Sequence, residues 1–193
     1  MDIRRRLFQY RSYTPIPFLV VMLIFAYPTM VSLLVGFCIV CVGEFFRLWG
    51  VAIAGSETRT TDTVGGTFLI TTGPFAHVRN PLYLGNILLY VGVGIMANAL
   101  MPWLPWIALV YFVAQYSLIV RLEEEYLASA FGDNFNRYCK AVPRFLPRFK
   151  GYATGMHEQP ELNWRRGIVS EKRTLQAIAV LTLVLVALWQ LRG

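Results

Sequence analysis

The sequence predicts an all-α integral membrane helical bundle of about five transmembrane helices. Three observations carry this expectation. Of the 193 residues, 56% are hydrophobic, and the mean hydropathy is +0.50. These residues stand in blocks, whereas a soluble domain is about 45–50% apolar and spreads its apolar residues periodically. Finally, the turns at 27–30 and 98–105 carry no charge, and in a five-span arrangement every Lys and Arg except Arg192 falls on one side. Such a bias sets orientation, with the N-terminus cytoplasmic and the C-terminus on the opposite side. The chain is expected to be a single membrane domain over 1–193, in a cell inner or cytoplasmic membrane. It shows no internal repeat and no low-complexity tract.

The first elements follow from this pattern. Residues 1–15 carry Arg4, Arg5, Arg6 and Arg11 among Leu7, Phe8 and Tyr10, which predicts a short interfacial segment. The apolar run from Ile16 to Tyr27 predicts a first span. It lacks a small-residue cleavage site, so it reads as retained rather than as a signal peptide. Pro28 marks the tip of a hairpin, and a second helix runs from Thr29 to about Ala54. On it Glu44 and Arg47 stand one turn apart and can pair, either as a structural ion pair or as the polar wall of a cavity.

A polar loop, 55–66, precedes TFLITTGPFAHVRNPLYLG at 67–85. Pro81 can open a third helix, to about Asn98, because the first turn does not need its missing N–H. On composition alone Gly73-Pro74 and Asn80-Pro81 mark a turn between spans. A loop of backbone donors leading into a membrane helix also suits a polar ligand beside an apolar one. Gly92-Val93-Gly94 suits close helix packing. A fourth helix starts near Pro105 and leaves the membrane near Arg121. The basic segment 132–173 is expected to fold over the site as a lid, with Phe135, Tyr138, Phe145 and Leu146 as its apolar underside. An extra C-terminal span covers about 174–191.

The formal charge is +7. In a membrane chain this marks cytoplasmic loops beside anionic lipid rather than nucleic acid. Cys38, Cys41 and Cys139 have no second pair and no nearby His, so they read as small apolar residues, with no metal expected. Glu123-Glu124-Glu125 is most simply a solvated charged helix end. Yet three carboxylates at the negative end of a helix are unfavourable, and a bound cation would offset that cost.

GPFAHVRNPLYLG at 73–85, followed by EExxL-x3-FG-x2-F-x2-Y-x3-VP from Glu123 to Pro143, resembles the isoprenylcysteine carboxyl methyltransferase and phospholipid methyltransferase family. The resemblance covers about 47–147. It implies a membrane enzyme dependent on S-adenosylmethionine, with a cytoplasmic cofactor site and a lipid or prenyl-type apolar acceptor reached through the bilayer. Carried over by residue, the cofactor contacts fall on Thr67, Phe68, Leu69, Ile70, Phe75, Asn80, Pro81, Leu82, Tyr83 and Glu123. Backbone groups of 67–70 can meet the adenine edge, and Glu123 can accept from the ammonium or ribose.

Two departures bear on the acceptor. Asn80 stands where the family has His, and cannot move a proton near neutral pH. Ile119 stands where an Arg would hold a substrate carboxylate. Arg121, a candidate substrate contact, lies about 200° further round the helix. No catalytic base is evident, although His77 could accept a proton. Other readings are a membrane reductase of the sterol-reductase type, whose chains use more spans, and a non-catalytic membrane module.

Overall fold

A computed structural model describes residues 3–55, 69–153 and 159–192. All regular structure among them is helical: α1 (Ile3–Tyr10), α2 (Pro15–Ile24), α3 (Met30–Ala54), a 3-10 turn (Gly73–Ala76), α4 (Pro81–Ala97), α5 (Trp103–Ala141) and α6 (Trp164–Arg192). Among the described residues three helices, α3, α5 and α6, are long and apolar enough to cross a membrane. The chain is thus an all-α membrane bundle, but length and composition support three spans rather than the five expected. The apolar helices α2 and α4 have 10 and 17 residues, and at 1.5 Å per residue α2 covers about half a bilayer core. It stops at Ile24, and Thr29 opens α3 with a reciprocal cap. The Ser32 N–H donates to Thr29 Oγ1 (3.1 Å), and the Thr29 N–H donates to Ser32 Oγ (2.9 Å), leaving the chain before it extended.

Glycines set the central packing. A Cβ on Gly36 would lie 2.5 Å from the Gly92 carbonyl oxygen, and one on Gly43 would lie 2.8 Å from that of Gly85. One on Gly50 would lie 2.7 Å from Leu82. Descending partners along α4 for ascending positions on α3 make the two helices antiparallel. The seven-residue spacing keeps the glycines on one face, where backbones can touch.

The two ends of the bundle are tied differently. At one end the Tyr27 N–H donates to the Ala97 carbonyl (2.9 Å), Ser32 Oγ donates to that of Met96 (3.2 Å), and Arg192 reaches that of Ala26. At the other end α6 docks on the end of α3. The Asn163 N–H donates to the Ala52 carbonyl (2.9 Å), and the Arg166 guanidinium donates to those of Ala52 and Ile53 (3.3 Å each). These bonds satisfy carbonyls that a helix C-terminus leaves unpaired. They also explain why α6 begins at Trp164, ten residues before the expected span. Its first turns are charged and docked on protein, so an apolar boundary misses them.

Candidate functional site

The site is built where α4 begins and α5 ends. Pro81 occupies the first turn of α4 and Asn80 precedes it, as the Asn-Pro pair predicts. The Asn80 side chain does not cap the helix. Its Nδ2 donates to the Arg144 carbonyl (3.3 Å). That bond is one of several tying the 75–80 loop to the chain after α5. The Arg79 N–H donates to the Pro143 carbonyl (2.9 Å), the Arg148 N–H to that of His77 (3.0 Å), and the Tyr152 N–H to that of Ala76 (2.9 Å). His77 Nδ1 pairs with the Arg148 carbonyl (2.9 Å), so this ring nitrogen, the sequence's candidate proton acceptor, is engaged by backbone.

Gly132 makes this closure possible. It breaks α5 with φ 50° and ψ −124°, a conformation glycine reaches without penalty. The turn swings Phe135 and Tyr138 back onto the loop, where both are buried with Leu69 and Val142. Tyr138 Oη donates to the Phe75 carbonyl (2.7 Å). The expected apolar underside is therefore met by Phe135 and Tyr138, and partly by Phe145, which packs beside Ile119 and Tyr116. Leu146 is instead 80% exposed, because the backbone bonds at Pro143 and Arg148 turn that stretch outward.

The three carboxylates take three different partners. Tyr83 Oη donates to Glu123 Oε1 at 2.6 Å, the short distance of a charge-assisted bond. Glu124 accepts from Arg79 Nη1 (2.7 Å) and from the Arg144 guanidinium, whose Nε lies 3.1 Å from both oxygens. This bond pushes the Arg144 guanidinium further up from its ordinary range. Glu125 pairs with Arg4 at the surface. Only Glu123 takes a tyrosine hydroxyl, and that bond joins the two sequence motifs.

Behind Tyr83 a polar path runs into the bundle. Its ring stacks on Tyr116 with centroids 4.6 Å apart. Tyr116 Oη accepts from Asn86 Nδ2 (3.2 Å). Asn86 in turn meets Arg47, which also binds Glu171 and Thr174 on α6. The expected Glu44–Arg47 pair forms at 3.5 Å, and Glu44 is buried with neither oxygen hydrogen-bonded. The pair thus lies inside a wider network joining α3, α4, α5 and α6.

Of the expected cofactor contacts, Tyr83, Glu123, Asn80, Pro81, Phe75 and Leu69 lie at this end of the bundle, with Ile70 beside Leu69. Leu82 packs on Gly50 of α3 and so serves the helix pair. Thr67 and Phe68 lie outside the described residues. Arg121 is exposed, whereas Ile119 is fully buried, so the arginine does not share the inward face of α5. Arg144, Asn86, Tyr116 and Gln159 join the site without having been singled out from sequence, and Arg79, part of the motif, gains partners that the motif does not show. Arg79 lies within the read motif and Asn86 follows it, but their partners lie 30 to 60 residues away, so no local spacing reveals them.

Comparison with known proteins bears on this arrangement. The sequence model of the phospholipid methyltransferase family matches residues 31–134, more than half of the chain. The chain belongs to this family. It is 34% identical over 107 residues to the cobalt-zinc-cadmium resistance protein CzcN of Cupriavidus metallidurans, covering 55% of this chain and 44% of that protein. It is 33% identical over 116 residues to the nickel-cobalt-cadmium resistance protein NccN of Alcaligenes xylosoxydans xylosoxydans, covering 60% and 50%. It is 31% identical over 111 residues to the protein-S-isoprenylcysteine O-methyltransferase of Schizosaccharomyces pombe, covering 55% and 46%. The matched region spans about half the length of each relative. No solved structure matches. Within the phospholipid methyltransferase family match lie α3, α4 and the Tyr83–Glu123 bond; the chain that closes over the loop lies beyond it.

Proposed function

We propose that this protein is an S-adenosylmethionine-dependent methyltransferase acting on a lipid or prenyl-type apolar acceptor. The observation that carries the reading is the 2.6 Å bond between Tyr83 and Glu123, made where apolar α4 and α5 meet a loop roofed by polar backbone. The residues fit the cofactor's chemistry. The Glu123 carboxylate, with one oxygen on Tyr83, keeps acceptor capacity for an ammonium or ribose hydroxyl. The buried strip at Leu69 and Thr71 offers a carbonyl and an N–H, both held by the Gln159 side-chain amide.

When bound, the cofactor would supply an activated methyl group for transfer to an acceptor lone pair, its sulfonium sulfur keeping the electron pair of the broken carbon–sulfur bond. The chain's residues position and exclude water. Tyr83 orients Glu123, the stack on Tyr116 fixes the Tyr83 ring, and Phe135, Tyr138 and Phe145 cover the loop. His77 Nδ1 is engaged, and no side chain here is assigned as a base. An acceptor whose nucleophile needs no deprotonation by the protein fits this best.

We read α4 as a further membrane crossing, since it runs antiparallel beside α3 and covers the same depth from Gly50 to Gly36. With the stretch from α1 to Thr29 also passing from the Arg4–Glu125 end to the Tyr27–Ala97 end, the bundle has five crossings. The Lys and Arg asymmetry then supports a cytoplasmic cofactor site and an acceptor arriving from the bilayer. The buried Ile119 in place of an arginine favours an uncharged or amine head over a carboxylate. The resistance names of two relatives describe those proteins and carry no residue argument for this one. The test supplies methyl-labelled S-adenosylmethionine to the protein in native-lipid vesicles and partitions the products. Label in the organic phase is expected. Label confined to a water-soluble small molecule would refute the lipid acceptor.

A further inference from the structure

We propose that Gln159 is the chain's own stand-in for an adenine base, and that S-adenosylmethionine seats its adenine on Leu69 and Thr71 by displacing the Gln159 side chain. The inference rests on the proposed methyl-donor reading and adds to it how the base is admitted. Gln159 Nε2 donates to the Leu69 carbonyl (3.0 Å), and its Oε1 accepts from the Thr71 N–H (2.8 Å). Thr71 Oγ1 stands 3.5 Å from the same oxygen. In an extended backbone the carbonyl of one residue and the N–H two residues on point to the same side. Leu69 and Thr71 thus form a two-point edge, acceptor beside donor.

Two side-by-side groups match that edge: a primary amide and the amino-and-ring-nitrogen edge of adenine. Each presents one donor and one acceptor at the same spacing, which is also why Asn and Gln read adenine bidentately. Leu69 is 3% exposed and Thr71 1%, so neither backbone group can be left unpaired without cost. An edge that must bind adenine yet stay satisfied beforehand needs a surrogate of the same pattern, and Gln159 supplies it. The amide is held from outside the site. The segment leading into α6 is anchored on α3 by Asn163 and Arg166. Gln159 itself is partly exposed while its two partners are buried, so side-chain rotation alone can free the edge. Tyr138 and Tyr152 pack around Leu69 and offer ring faces beside it.

The test uses the full chain in detergent and calorimetric titration of S-adenosylhomocysteine. A parallel titration uses its inosine counterpart, whose hypoxanthine places an acceptor where adenine has its donor and a donor where adenine has its acceptor. A site closed by its own surrogate binds more weakly by the fraction of open molecules. Gln159→Ala should therefore bind S-adenosylhomocysteine tighter, by about tenfold if the surrogate is in place nine-tenths of the time. Gln159→Glu keeps the acceptor for Thr71 but loses the donor to Leu69, and should fall between. Both variants and the native protein should prefer the adenine compound. Unchanged or weakened binding in Gln159→Ala, or equal binding of the two purines, would overturn the inference while leaving methyl-donor binding standing. No binding of either compound by any of the three proteins would overturn both.

Discussion

Replacing Glu124 by alanine should release the 142–152 segment from the loop beneath it. The Glu124 side chain is 14% exposed, and Arg79, its partner at 2.7 Å, is 13% exposed. Without the carboxylate, the Arg79 side chain retains the thiol of Cys139 at 2.7 Å, a weak acceptor for a charge taken out of water. Removing one partner of such a pair costs about 3–5 kcal/mol. Arg144 is 38% exposed, so its share is screened and adds about 0–1 kcal/mol. Glu125, 61% exposed and paired with Arg4, should cost about 0–1 kcal/mol on the same substitution. The loss falls on the segment that Arg79 and Asn80 hold through the Pro143 and Arg144 carbonyls, so it should appear as local opening before the bundle melts. Trypsin cleavage at Arg144, Arg148 or Lys150, in detergent and at low protease, reads that opening. At about 1.4 kcal/mol per tenfold, Glu124→Ala should raise cleavage by about a hundredfold or more, and Glu125→Ala by a few-fold at most. Pairing Glu124→Ala with Arg79→Met should recover most of the protection, since no buried charge is then orphaned. Equal cleavage in the two single variants would refute the assignment of the clamp to Glu124.

Two further outcomes are expected. Glu123→Ala should weaken calorimetric binding of S-adenosylmethionine far more than Glu125→Ala, because only Glu123 is bonded to Tyr83; equal losses would mean the run acts as diffuse negative charge. Gly92→Ala places a Cβ 2.9 Å from both the Gly36 carbonyl oxygen and Val40, whereas Gly94→Ala meets its nearest neighbour, Pro105, at 3.6 Å. The first should lower the unfolding free energy measured in detergent by about 1–3 kcal/mol, the second should leave it unchanged or slightly raised, and equal shifts would remove the glycine contacts from the account of α3–α4 packing.

Local chemistry was legible in the sequence, and distant pairing was not. Asn80-Pro81 announces the start of α4, and Glu44 and Arg47 are visibly one turn apart. Each is decided within a few residues. The partners that give Glu123, Glu124 and Glu125 separate roles come from α4, the 79 loop, the 144 segment and α1, and no periodicity links those places. Gly36, Gly43 and Gly50 did carry a signal, a seven-residue spacing, but its meaning depends on the matching glycines of α4. Helix length supports three spans rather than five because an apolar run shows hydrophobicity, not helix length. Ile16 to Tyr27 yields only the ten-residue α2, and α6 looks short until its charged turns prove to be docked.

The family match and the closure of the site divide the chain between them. Residues 31–134 contain the glycine-packed α3 and α4 and the Tyr83–Glu123 bond, which is the frame proposed to position a methyl donor. The bonds that roof that frame come from residues 138–152, and the amide on Leu69 and Thr71 comes from Gln159, all beyond the match. Those two parts are not independent. Arg47, inside the matched region, spends one arm on Asn86 toward Tyr116 and the other on Glu171 of α6. Asn163 and Arg166 fix the start of the same helix on the end of α3. Helix α6 therefore sets where Gln159 stands and also restrains the arginine that leads, through Asn86 and Tyr116, to Tyr83. A change at the α3–α6 contact should reach the candidate site by both routes, although α6 supplies none of the cofactor contacts expected from sequence.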